Sequence, residues 1–168
     1  MRRLTLCLAL IVLPALLAEE KAETKGVKAT SKDGKASAVF PAKPTEKKAG
    51  ERLVYLYESK DGKSAMAFNQ DAMSKPIDPT DTALVEKLFT GGRENCIRGI
   101  KGKLLSKKAL KLSAYPGQTF DAEVTGGIYR SRMYLTEKSL IQVIVVGPKE
   151  FVDSPEAEKF LDSLKIEE

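Results

Sequence analysis

The stretch SLIQVIVVGP, Ser139 to Pro148, decides the architecture. Leu140, Ile144 and Val146 fall on one side of an extended chain, and Ile141, Val143 and Val145 fall on the other. A strand apolar on both faces must be covered on both, so it belongs in the middle of a sheet with layers above and below. Gln142 is the polar exception, and a buried amide there needs hydrogen-bond partners.

Immediately before it lies DAEVTGGIYRSR, Asp121 to Arg132, with two acids ahead of a glycine pair and two arginines behind it. A two-residue turn at Gly126-Gly127 predicts a hairpin in which Val124 faces Tyr129, Glu123 faces Arg130 and Asp121 faces Arg132. The charges then share one face, and Phe120, Ala122, Val124, Tyr129 and Met133 share the other. Opposite-charge pairs across strands contribute about 0.2–1 kcal/mol each and penalise a slip in register. The competing reading is a catalytic carboxylate pair, which needs two acids in unequal environments. Acids that each face an arginine are both expected to stay ionised, so the hairpin reads as a clasp.

Further elements follow from the same rules. YPGQ, Tyr115 to Gln118, predicts a type II turn leading into the hairpin. ERLVYLYES and KSAMAFNQ flank Lys60-Asp61-Gly62, a turn that sets Tyr55 against Phe68 and Tyr57 against Met66. That aromatic row reads as core, with a ligand or carbohydrate platform as the alternative. GVKATSKDGKASAVFPAKP offers two short strands around Lys32-Asp33-Gly34, stopped by Pro41 and Pro44. IDPTDTALVEKLF starts a helix capped by Asp78 or Asp81, with Leu84, Val85, Leu88 and Phe89 as its stripe. Gly91 and Gly92 leave either one continuous or kinked helix over 84–100 or two short ones. DSPEAEKFLDSLKI closes the chain with a helix capped by Asp153 or Ser154, Pro155 in its first turn and Ala157, Phe160, Leu161 and Leu164 inward. KGKLLSKKALKLS carries Lys101, Lys103, Lys107, Lys108 and Lys111. It reads as a twisted strand with a solvated face, and adhesion to a polyanion is the rival account. The expected fold is α+β, an antiparallel sheet of about six to seven strands with helices packed on its faces as an α/β/α sandwich.

At the other end of the chain, Arg2 and Arg3, the apolar run Leu4 to Leu17 and Ala18 before Glu19 have the order of a secretory signal peptide over residues 1–18. The run is too short to span a bilayer, and Pro14 interrupts it. Export to the periplasm or beyond the cell, with cleavage after Ala18, is the expectation. Residues 19–26 read as a flexible tether and 27–168 as one α+β domain. Loss of the 18-residue leader leaves 150 residues and lowers the formal charge from +5 to +3, which is not a nucleic-acid binder's balance. Cys96 is then the sole thiol, so no internal disulfide forms, and it reads as a small apolar residue rather than a nucleophile.

The stretches DGKASAVFPAKP, YPGQTF, IYRSRMYL, LIQVIVVGPKE and FLDSLKI together resemble the PsbP-like fold family, particularly small secreted bacterial members. The resemblance implies a non-catalytic binding or assembly factor, with no catalytic motif to carry over. Independently, a chain of 168 residues without a histidine has no Ser-His or Cys-His couple and no imidazole metal ligand. GGREN, Gly91 to Asn95, has neither the lysine nor the spacing of a phosphate-binding loop. No catalytic, cofactor or metal residue is assigned. The expected protein is a monomeric, non-enzymatic envelope module that binds an envelope protein or a small ligand. The alternative is a histidine-free hydrolase using Asp or Glu, marked by a cleft with two converging carboxylates of unequal burial.

Overall fold

The computed structural model describes residues 26–49 and 52–167. The expected leader and all but the last residue of the expected tether lie outside them. Strands β1 (Val27–Thr30) and β2 (Ala36–Phe40) come first, followed by β3 (Thr45–Ala49), β4 (Arg52–Glu58) and β5 (Ala65–Ala72). Helix α1 (Thr82–Gly99) precedes a four-strand meander, β6 (Lys103–Leu112), β7 (Tyr115–Val124), β8 (Gly127–Leu135) and β9 (Ser139–Gly147). The chain ends in α2 (Lys149–Val152), α3 (Pro155–Asp162) and the short β10 (Lys165–Ile166).

Among the described residues, seven strands form one antiparallel sheet in the order β3-β4-β5-β9-β8-β7-β6. β9 sits at its centre, as its two apolar faces require. Ile141, Val143 and Val145 enter one core with Met66, Phe68, Phe160 and Leu161. Leu140, Ile144 and Val146 pack on the opposite core, which holds Val85 and Phe89 of α1 with Phe120 and Met133. The sheet is therefore covered by α1 on one side and by α2 and α3 on the other.

The covering layer on the α3 side also contains strands. β1 and β2 do not extend the large sheet; β2 pairs with β1 on one side and β10 on the other, in a sheet of three. β2 stops at Phe40 beside Pro41, and β3 starts just after Pro44, so the prolines divide the chain between two sheets. Ala36, Ala38 and Phe40 are fully buried, and the Phe40 ring lies 4.7 Å from that of Phe160. The short β3 and β10 carry too little pattern to be read from sequence.

Both expected Asp-Gly turns form, and they are the same device. In Ser31–Ala36 and in Ser59–Ser64 the serine hydroxyl donates to the aspartate two residues on, at 2.7 and 2.6 Å. That aspartate accepts from the lysine amide beyond the glycine, and the serine oxygen accepts from the amide five residues away. Gly34 and Gly62 supply the left-handed φ of 77° and 67°. The second turn sets Tyr55 opposite Phe68 and Tyr57 opposite Met66, the register expected.

α1 is continuous through Gly91 and Gly92, with Asp81 rather than Asp78 as its cap, accepting from the Leu84 amide. α3 is capped by Ser154, which accepts from Ala157, with Pro155 at its start. Among the described residues no helix is long and apolar enough to cross a membrane.

Candidate functional site: a polar hollow beside a charged clasp

The acids and arginines of 121–132 lie on one face of the sheet, as their alternation requires, but the register differs from the expected one. The turn is Thr125-Gly126, so Val124 pairs with Gly127, Glu123 with Ile128 and Asp121 with Arg130. Only Gly126 takes a left-handed φ, 87°. Gly127 serves a different need: a Cβ on it would stand 2.0 Å from the carbonyl oxygen of Gly147 on neighbouring β9. One glycine makes the turn and the other permits close backbone approach, which displaces every cross-strand partner by two residues and keeps the faces intact.

The charges consequently engage the C-terminal helices as well as one another. Arg130 grips Asp121 with both ends of its fork, Nε to Oδ1 and Nη2 to Oδ2, each at 2.9 Å. It also donates to the Val152 carbonyl and to Asp153, both at 3.1 Å. The hydrogen bond to Asp121 leads in raising the Arg130 pKa above its ordinary value, against the opposing effect of burial. Arg132 faces Thr119 instead of Asp121 and reaches Asp162 at 2.6 Å and Glu158 on α3. Burial acts to lower its pKa, and the carboxylates of Asp162 and Glu158 outweigh it. Glu123 is exposed and lies opposite Lys103 across β6 and β7. Asp121 and Glu123 thus do not converge on a shared hollow.

A hollow of about 1190 Å³ does open on the same side of the sheet, between the Ser31–Asp33 turn and the β3–β5 end. Tyr55 and Phe68 form its apolar floor, their rings stacked at 5.9 Å and 13°. Phe68 is wholly buried, while Tyr55 is half-buried and donates its hydroxyl to the Thr30 carbonyl at 2.7 Å. The aromatic row is therefore core at its inner end and lining at its outer end. Gln70 bridges Asp33 and Ser139 at 2.8 Å each, joining this hollow to a second of about 900 Å³. Burial pushes the Asp33 pKa up, but hydrogen bonds from the Lys35 amide, Ser31 and Gln70 outweigh it and hold the carboxyl below its ordinary value. Asp71, also at the rim, is ion-paired with Arg52. Two of the rim acids are thus engaged, Asp33 by its donors and Asp71 by Arg52, while the buried Asn69 Oδ1, also in the lining, has no hydrogen-bond partner among the described residues.

Beneath α1 lies a buried polar seam that sequence reading found only in part. Gln142 donates to Ser131 at 2.8 Å and lies within 3.4 Å of the Tyr129 hydroxyl and 3.6 Å of Cys96 Sγ, the partners its burial demanded. Cys96 is half-buried at this seam. Burial, with Cys96 alongside, drives the Tyr129 pKa well up, so its hydroxyl stays protonated. Arg93, only 5% exposed, donates to Gln118 on β7 and makes no ion pair among the described residues. An arginine between the helix glycines and Asn95 gives no sequence signal of burial.

YPGQ is not a turn. The β6–β7 turn is Ser113-Ala114, with Ser113 at φ 52°, and Tyr115–Gln118 already belongs to β7. Gly117 is needed because a Cβ there would stand 2.5 Å from the Tyr134 ring. The lysine-rich segment forms the whole of β6, an edge strand with a bulge between Leu104 and Ser106.

This arrangement of sheet and layers matches that of cyanobacterial PsbP (CyanoP) from Synechocystis sp. PCC 6803, with a TM-score of 0.61 over 85% of this chain and 93% of that one. The fold is PsbP-like. Sequence identity is 12%, so the likeness is one of backbone architecture. A protein from Bacteroides thetaiotaomicron VPI-5482 aligns at a TM-score of 0.44 and 17% identity, over 86% of this chain and 49% of that one. No family model matches the chain, and no curated protein does so significantly. On the PsbP-like framework, the hollow is bounded by the first turn and the β3–β5 end, and the clasp ties down the C-terminal helices.

Proposed function

We propose that the protein is an exported, non-catalytic binding or accessory module of the cell envelope. The hollow over Tyr55 and Phe68 is its recognition surface, for a segment of an envelope protein or a small ligand. The observation that carries this reading is the state of the hollow's polar rim. An apolar aromatic floor with a few fixed polar groups is the usual composition of a binding site. Asp33, the acid shared by both hollows, is held ionised by three donors rather than poised for proton transfer. A carboxylate hydrolase needs one acid kept protonated near working pH and another ionised; Asp33 is shifted away from the first role, and Asp71 on the same rim is ion-paired with Arg52. The order of charge, apolar run and small residue at the start of the sequence supports export.

The reading is tested by backbone amide NMR during titration with envelope-derived peptides and a library of small aromatic and polar compounds. Shifts confined to Ser31–Asp33, Tyr55 and Gln70, lost in Tyr55→Ala, are the expected result. Hydrolysis of ester, glycoside or peptide substrates, abolished by Asp33→Asn in a folded protein, would replace the binding reading with the enzymatic one.

A further inference from the structure

The outer edge of β6 combines two features that the clasp and the hollow leave unused. Leu104 and Leu105, 40% and 52% exposed, are the exposed large apolar residues among those described. They are adjacent in sequence and sit at the bulge, where Leu105 has no partner in the β7 ladder. Around them the chain is uniformly cationic. From Lys101 to Gln118 there are five lysines and no carboxylate. Lys101, Lys103, Lys107 and Lys108 are all exposed. Nearby acids answer this charge weakly: Glu86 lies 3.6 Å from an exposed Lys107, a surface pair of small consequence, and Glu123 faces Lys103.

Edge lysines and a bulge already disfavour pairing with another strand, and the shared positive charge disfavours a second copy of this chain. A stable protein interface covers roughly 800 Å² on each partner, far more than two leucines supply. Insertion into the headgroup layer of a bilayer needs no such shape match, only exposed apolar side chains and attraction to anionic lipid. We infer that the outer edge of β6 is a peripheral docking face for an anionic lipid surface. Leu104 and Leu105 enter the interfacial layer while Lys101, Lys103, Lys107 and Lys108 meet the headgroup phosphates. This face is separate from the hollow and does not depend on what the hollow holds.

The chain contains no tryptophan, so Leu105→Trp introduces a single reporter at an exposed position outside the ladder. The full chain carrying it is mixed with vesicles of phosphatidylcholine alone and with vesicles containing phosphatidylglycerol. The expected result is a blue-shifted emission, quenched by brominated acyl chains, on the anionic vesicles only and reversed by salt. Replacing the four lysines by glutamine should weaken the partition by about fivefold for each lysine removed. Because the signal is local to position 105, attachment through another part of the chain leaves it unchanged. Emission on anionic vesicles equal to that in buffer overturns the inference, as does an equal shift on neutral vesicles. An emission change produced by soluble poly-glutamate but not by vesicles would assign the face to an acidic protein partner instead.

Discussion

Replacing Arg130 by methionine keeps most of the side-chain length and removes the fork that grips Asp121. Four donor contacts are lost, two to the carboxylate at 2.9 Å and one each to the Val152 carbonyl and Asp153 at 3.1 Å. Arg130 and Asp121 side chains are each 21% exposed, between the exposed pairs that contribute little and the buried pairs whose breakage costs several kcal/mol. The expected loss is about 2–3 kcal/mol, which lowers Tm by roughly 5–10 °C in a domain of this size. Asp121→Asn should cost about 1–2 kcal/mol, and the double variant should show a coupling of about 1 kcal/mol or more. Glu123→Gln is the control: the side chain is exposed and lies opposite Ile128, so its effect should stay within about 0.5 kcal/mol and show no coupling to Arg130. Urea unfolding followed by circular dichroism, at unchanged m-value, reads all five variants, the Arg130→Met/Glu123→Gln double included. If Glu123→Gln costs as much as Asp121→Asn and couples to Arg130, the Thr125-Gly126 register is refuted.

The two glycines of that hairpin should respond unequally. Gly126→Ala strains one left-handed residue, for about 1–2 kcal/mol, whereas Gly127→Ala drives a Cβ against the Gly147 carbonyl and should cost about 3 kcal/mol or more; comparable unfolding midpoints would contradict the assignment of roles. Asp81→Ala removes the α1 cap and should cost about 1 kcal/mol in the same assay. Asp33 and Asp153 have folded pKa values below the ordinary 3.8, so their stabilisation is complete above that value and is lost as pH falls through the folded values. Asp33→Asn should accordingly make stability fall less steeply in acid, measured as the urea midpoint against pH; an unchanged acid limb would show that Asp33 is not so held.

Periodicity in the strands was highly informative here. The alternation in 139–147 placed β9 centrally and assigned each of its apolar residues to the right core, and Lys60-Asp61-Gly62 fixed the β4–β5 register. Glycine was the ambiguous letter. It marks either a left-handed φ or a place where a Cβ has no room, and local sequence does not distinguish the two. Gly34, Gly62 and Gly126 are of the first kind, Gly117 and Gly127 of the second. Tyr134 and Gly147, the neighbours that require Gly117 and Gly127, come from adjacent strands and are invisible until the sheet is assembled.

The helix partners of Arg130 and Arg132 were hidden for the same reason. A cross-strand rule considers only the sheet, while Asp153, Glu158 and Asp162 arrive from more than twenty residues downstream. The hollow depends on the two-sheet division, since its wall is the Ser31–Asp33 turn of the small sheet and its floor belongs to the large one. A chain read as a single sheet brings those groups together nowhere.

Amide hydrogen exchange in the Arg130→Met/Arg132→Met double variant tests most directly whether these charges anchor the C-terminal layer. Protection should fall across α2, α3 and β10 and in the β2 amides they cover, while β5, β8 and β9 exchange as in the parent protein. Unchanged protection in α2 and α3, or a loss spread evenly over the whole sheet, would contradict the account.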